Sequence, residues 1–194
     1  MTARGARAAR SAAAFALAAF AAACTVVPSV RQQQQGSIAA PDAPFELSGR
    51  LSARRGSEGA AASFRWTHEP DRDLLILSTP LGAALAQLEG SEGDVRLALA
   101  DGRVAAASDW PALTTQVLGT PVPVRGLAWW VRGSPHPNAA HTAERDAQGR
   151  LVTLRQDGWE IVFDYAADSG RPSRLRLAYP DTEVRLVLDA WSAQ

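Results

Sequence analysis

The chain has 194 residues, and its 20 basic and 20 acidic side chains give a formal net charge of zero at pH 7. This balance excludes the strongly basic surface of a typical nucleic-acid-binding protein, so we expect no nucleic-acid partner. The single cysteine excludes an internal disulfide bond.

The first 23 residues have the pattern of a secretory signal peptide. Arg4, Arg7 and Arg10 precede an apolar run from Ala12 to Ala23. At about a dozen residues the run is too short to cross a bilayer, which takes about 20. We therefore predict a signal peptide over residues 1–23 and no transmembrane helix there.

Cys24 is the only cysteine and directly follows the small residues that end this signal. A lone thiol in an exported protein needs an explanation, and its position resembles the lipobox of bacterial lipoproteins. The alternative is an ordinary cleavable signal with an incidental cysteine. Thr25, rather than Asp, follows the cysteine, which by the same resemblance indicates the outer membrane. Residues 24–43 are then a lipidated N-terminus and a polar tether.

Alternation of apolar and polar residues begins at Phe45 and recurs almost to the C-terminus, which predicts antiparallel strands with one buried face. We predict about ten or eleven strands in one domain over residues 44–194. The clearest alternating segments are 45–52, 62–67, 74–79, 83–88, 94–99, 151–155, 159–165, 174–179 and 184–191.

The alternation stops between Ser108 and Gly133, where two short helices are predicted. Ser108 or Asp109 can cap the first, which ends at Gly119, and the second runs from Val124 to Val131. A sheet of this length must curl, and the helices are the elements available to cover its opening. The fold class is therefore mainly β, an incomplete antiparallel barrel with a short helical lid over a hydrophobic cavity.

One predicted turn, Pro80-Leu81-Gly82, carries an aliphatic residue at its tip. Pro80 presets a turn angle and Gly82 accepts the conformation that a turn end often requires, so these two residues support the turn. Leu81 either folds back onto the apolar face of its own hairpin or is held out to contact something apolar.

The sequence contains no recognisable catalytic or metal-binding motif. His68, His136 and His141 lack metal-ligand spacing, and there is no nucleophile elbow or phosphate-binding glycine loop. Acidic residues are dispersed, and we interpret them as solvated. We predict no enzyme activity, no metal and no cofactor.

The chain is rich in tryptophan, with six residues, of which Trp110, Trp129 and Trp130 fall in the predicted lid. They are either core anchors or the lining of a partly open cavity suited to acyl chains. The candidate cavity and lid residues are Phe64, Trp66, Leu77, Trp110, Leu113, Leu127, Trp130, Ile161, Phe163, Leu186 and Trp191.

In order and spacing, these features resemble the LolB family of outer-membrane lipoproteins over nearly the whole predicted domain. The segments that carry the resemblance are Cys24, Gly49-Arg50-Leu51, Phe64-Arg65-Trp66, Thr79-Pro80-Leu81-Gly82, Leu118-Gly119-Thr120-Pro121-Val122-Pro123, Leu127–Gly133, Gly158-Trp159 and Val184–Trp191.

The resemblance implies a lipid-anchored protein of the outer membrane that faces the periplasm. It would accept lipoproteins from the periplasmic carrier LolA, hold their acyl chains in the cavity and insert them among outer-membrane phospholipids. It also implies that Leu81 is needed for membrane insertion, and we expect a monomer. Two alternatives stay open, a general lipid or glycolipid carrier and a scaffold lipoprotein with no lipid cargo.

Overall fold

The computed structural model describes residues 43–137 and 139–193, which form eleven strands and two helices. The strands are β1 (Phe45–Arg55), β2 (Glu58–His68), β3 (Arg72–Ser78), β4 (Ala84–Ser91), β5 (Asp94–Leu99), β6 (Val104–Ala107), β7 (His141–Arg145), β8 (Leu151–Gln156), β9 (Trp159–Tyr165), β10 (Pro172–Tyr179) and β11 (Thr182–Ala193). Helices α1 (Trp110–Leu118) and α2 (Val124–Trp130) follow β6. The mainly β fold and the strand count are confirmed.

All eleven strands belong to one antiparallel sheet, in the order β6-β5-β4-β3-β2-β1-β11-β10-β9-β8-β7. Each pair of neighbours is consecutive in sequence except β1 and β11, which pair along their length from Phe45 opposite Ala193 to Arg55 opposite Thr182. Strands β6 and β7 are the two edges and do not pair with each other. The sheet is therefore open, as expected for an incomplete barrel.

Alternation within each strand decides which side chains enter the core. In β2, Phe64, Trp66 and His68 are buried, whereas Arg65 between them is exposed. The same alternation in β9 buries Trp159, Ile161 and Phe163. Because the strands other than the edge strand β7 place apolar side chains on one side of the sheet, these residues form one core cluster in the described part of the chain.

The two helices connect the halves of the sheet. Asp109 caps α1 by accepting a hydrogen bond from the Ala112 backbone N–H at 2.7 Å, which confirms one of the two predicted caps. Helix α1 packs against β5 and β6. On the other half, the indole Nε1 of Trp159 donates to the carbonyl of Pro121 at 3.0 Å, and that of Trp130 donates to Gln156 Oε1 at 2.8 Å. The helical segment therefore contacts β5 and β6 near one edge of the sheet and β8 and β9 near the other edge.

Two edge strands lack the apolar alternation that predicted the others. Every residue of β7 is exposed, and β6 is a four-residue Val-Ala-Ala-Ala segment. Their strand conformation follows from pairing with β8 and β5, which a local sequence pattern does not contain.

Candidate functional site

The β3–β4 turn is held by three short-range hydrogen bonds. The backbone N–H of Gly82 donates to the carbonyl of Thr79 at 2.9 Å, and that of Thr79 donates to the carbonyl of Ala83 at 2.8 Å. The hydroxyl of Thr79 also accepts from the Ala83 N–H at 3.1 Å. Gly82 has φ +88°, which a glycine adopts without a steric penalty. The structure places both Pro80 and Gly82 in this turn.

Leu81 is 98% exposed at the tip of this turn. Its side chain therefore does not fold back onto the hairpin, which settles its position but not its role. Ile76 in β3 and Leu85 at the start of β4 are also exposed large aliphatic residues. The hairpin thus presents apolar side chains outward at and near a hydrogen-bonded tip.

The eleven predicted cavity and lid residues lie in one hydrophobic cluster. Eight of them are buried: Phe64, Trp66, Trp110, Leu113, Trp130, Ile161, Phe163 and Leu186. The other three, Leu77, Leu127 and Trp191, are partly buried and pack against these. The structure brings the predicted set together as a packed interior, and their contact with acyl chains stays a prediction.

A cleft with a volume of about 720 Å³ lies beside this interior. It is bounded by the β4–β5 turn, the start of α1, the segment from Pro121 into α2, and the loops around His136 and Asp157. Of the predicted residues only Trp110 lines it. Its walls also include Trp129, which the sequence placed in the predicted lid, and His68 and Arg125, which the sequence did not indicate as site residues.

A buried polar cluster lies at the wall of this cleft. Asp73 Oδ1 accepts a hydrogen bond from Trp66 Nε1 at 2.8 Å and lies 2.7 Å from His68 Nδ1. Asp73 is fully buried, so the interpretation of every acidic residue as solvated is wrong at this position. Strand parity could have found it, because Asp73 alternates with Leu75 and Leu77 on the inner face of β3.

Metal-ligand groups and membrane-spanning helices are two further features of interest in the described residues. Within residues 43–137 and 139–193, no three or more His, Cys, Asp or Glu side chains are grouped so that they could hold a metal ion. No helix in the same part of the chain has the length and apolar character needed to cross a membrane. The predicted signal peptide, the predicted lipidation site at Cys24 and nearly all of the predicted tether lie outside the described residues.

Comparison with known proteins gives consistent sequence matches. Residues 43–191 match the model of a family described as outer membrane lipoprotein LolB. A protein of Chromobacterium violaceum named outer-membrane lipoprotein LolB is 40% identical over 154 residues, which cover 78% of this chain and 82% of that protein. A protein of the same name from Nitrosomonas europaea is 34% identical over 167 residues, which cover 84% and 78%.

Among solved structures, a LolA superfamily protein, NE2245 from Nitrosomonas europaea, aligns with 81% of this chain and 89% of its own at a TM-score of 0.48 and 8% identity.

Proposed function

This chain belongs to the LolB family of outer-membrane lipoproteins, and from this membership we propose that it accepts lipoproteins from the periplasmic carrier LolA and inserts them into the outer membrane. It does so as a monomer anchored through lipid on Cys24 and facing the periplasm. Its role is transport and not catalysis. The observation that carries the insertion step is Leu81, a fully projecting aliphatic side chain on a hydrogen-bonded turn.

The acyl chains are the part of the cargo that a protein must shield from water. Each buried CH₂ group is worth about 0.8 kcal/mol, so a lipoprotein with several chains cannot cross water unshielded. The inner face of the sheet supplies aromatic and branched side chains such as Trp66, Ile161 and Phe163. These side chains pack against one another in the structure, so acceptance requires that the helices and the sheet move apart to admit the chains.

Transfer at this step uses no nucleotide and is driven by differences in affinity. The acceptor must bind the acyl chains more favourably than the carrier does, and the bilayer must take them up more favourably than the acceptor binds them. Leu81 promotes the second step by entering the lipid surface, where burial of a leucine side chain is worth about 1.5–3 kcal/mol. That contact holds the hairpin at the membrane while the cargo leaves the protein.

The test uses the full chain with Cys24→Ala behind a cleavable signal, purified without its lipid. In native mass spectrometry with a synthetic triacylated cysteinyl peptide, we expect one bound peptide for each protein. A scaffold lipoprotein would take up none. A general lipid carrier would take up phospholipid as readily as the acylated peptide.

The same preparation tests the anchor. With Cys24 replaced, the protein should be recovered in the soluble periplasmic fraction, whereas the unmodified chain should fractionate with outer membranes. Recovery of the Cys24→Ala protein with membranes would contradict lipid attachment at this residue. One acyl chain anchors a protein only marginally, so stable membrane association also implies more than one chain on Cys24.

A further inference from the structure

Among the buried indoles of the described domain, Trp110 differs in its hydrogen bonding. Trp66, Trp130 and Trp159 each donate through Nε1 to an acceptor within the protein, at 2.8, 2.8 and 3.0 Å. Trp110 is only 3% exposed, yet its Nε1 has no partner among the described residues. Buried donors are paired in the great majority of cases, so an unpaired one needs an explanation.

His68 presents a second unpaired ring nitrogen. Its Nδ1 lies 2.7 Å from Asp73 Oδ1, an acceptor, so the Nδ1 proton points to the carboxylate. In the neutral ring Nε2 is then a hydrogen-bond acceptor. This atom is buried and has no partner in the described part of the chain.

Both side chains lie in the wall of the 720 Å³ cleft. The cleft adjoins the apolar interior, because Trp110 belongs both to the cleft wall and to the core cluster. Two residues of its wall therefore carry unpaired nitrogens that are covered in the closed structure, a donor at Trp110 Nε1 and, in the neutral ring, an acceptor at His68 Nε2. Both become reachable when the helices and the sheet move apart to admit the cargo. A secondary amide has the complementary pair, a carbonyl oxygen and an N–H.

We propose that this cleft binds the secondary amides at the acylated cysteine of the cargo. The Trp110 indole donates to an amide carbonyl, and His68 Nε2 accepts from an amide N–H, while the acyl chains enter the adjoining interior. This inference rests on the proposed function, since it names the polar part of the same cargo. It makes the protein selective for acylated peptides over lipids that carry only ester groups.

The experiment compares probes that differ by one atom. The reference probe is S-dipalmitoylglyceryl-N-palmitoyl-cysteinyl-serine amide, which is uncharged, so that the rim carboxylates of Glu92, Asp109 and Asp157 do not dominate binding. In one analogue an ester replaces the N-palmitoyl amide, and in a second an ester replaces the cysteinyl–serine amide. Affinities are measured on the unlipidated Cys24→Ala chain by displacement of a fluorescent fatty acid.

We expect the reference probe to bind roughly 5-fold more tightly than at least one ester analogue, the scale of one neutral hydrogen bond. The analogue that loses affinity identifies which amide occupies the cleft. Trp110→Phe, which keeps the ring but removes the N–H, should weaken the reference probe roughly 5-fold. The matched control is Trp159→Phe, a buried indole whose N–H is bonded inside the protein, and it should leave the affinity for the reference probe unchanged.

A second measurement does not depend on a variant folding. In ¹⁵N-tryptophan spectra of the wild-type sequence with Cys24→Ala, the Trp110 indole proton should move downfield when the reference probe binds. Equal affinity for all three probes with an unmoved Trp110 resonance would overturn the cleft proposal while leaving cargo acceptance intact. Failure to bind any of the three probes would instead overturn the proposed function, and this inference with it.

Discussion

The β3–β4 and β8–β9 turns each close a hairpin of the same sheet, but they differ in what explains the residues at their tips. At the β8–β9 turn, Asp157 and Gly158 both have positive φ, +53° and +78°, a backbone that matches strand twist and favours Asp-Gly. At the β3–β4 turn, Pro80 and Leu81 have ordinary negative φ, and only Gly82 is positive. Backbone geometry accounts for the residues of the β8–β9 turn. It does not account for Leu81, whose side chain is available for contact outside the protein.

The largest expected effect is on membrane delivery. Leu81→Glu should reduce transfer of a lipoprotein from the protein to liposomes at least about 10-fold, because burial of the leucine in lipid is lost and a charge replaces it. Transfer from LolA to the variant should be unchanged. The control is Val152→Glu, the same kind of replacement at an exposed aliphatic residue on β8. If Leu81→Glu delivered lipoprotein to liposomes at the wild-type rate, the proposed role of Leu81 in membrane insertion would be wrong.

The second expected effect is a loss of folding stability when the β8–β9 turn is altered. Gly158→Ala should lower the free energy of unfolding by about 2 kcal/mol, since φ of +78° disfavours alanine. A methyl group there would also lie 3.0 Å from Tyr179 Cε2. Urea titration followed by tryptophan fluorescence measures the change. A loss well below 1 kcal/mol would mean that this backbone relaxes easily, and that its Asp-Gly sequence is not dictated by geometry.

The corresponding glycine of the β3–β4 turn should matter less. Gly82→Ala carries the same kind of backbone strain, at φ +88°, but a methyl group there would meet nothing within 4 Å. We expect a loss of about 1 kcal/mol in the same titration. If Gly82→Ala cost as much as Gly158→Ala, the contact with Tyr179 would contribute nothing to the difference between the turns.

The smallest effect separates fold from function at Leu81. Leu81→Asn should change the free energy of unfolding by no more than about 0.5 kcal/mol, because the side chain touches little in the folded protein. The denaturation midpoint and slope together measure this change. A destabilisation above 1 kcal/mol would show that the leucine packs within the hairpin in solution.

The parts of the fold that sequence predicts are those set by neighbours along the chain. Asp109 caps a helix because its carboxylate reaches an N–H three residues on, and Pro80 and Gly82 make a turn through their own φ preferences. Strands with an apolar face were likewise predictable. The edge strand β7 was not, because every side chain in it is exposed and its conformation depends on β8.

The site was less predictable, because it depends on residues far apart in sequence. Leu81 stood out as an apolar tip, and the packed interior followed from alternation. The cleft joins His68 on β2 with Trp110 on α1, and no local pattern indicates that they share a wall. The burial of Asp73 does not follow from its residue type, since carboxylates are ordinarily solvated, but from its position on the inner face of β3.

The pairing of β1 with β11 has a consequence for how the chain folds. Every other strand pair is a hairpin between sequence neighbours, so β1–β6 and β7–β11 are two meanders with short-range contacts. Only the β1–β11 ladder joins residues at the two ends of the domain, and closing so long a loop is slow. The ladder should therefore form last and limit the folding rate. Because it places Phe45 opposite Ala193, a circular permutant that links these ends and opens between β6 and β7, the two edge strands, should fold faster than the natural order.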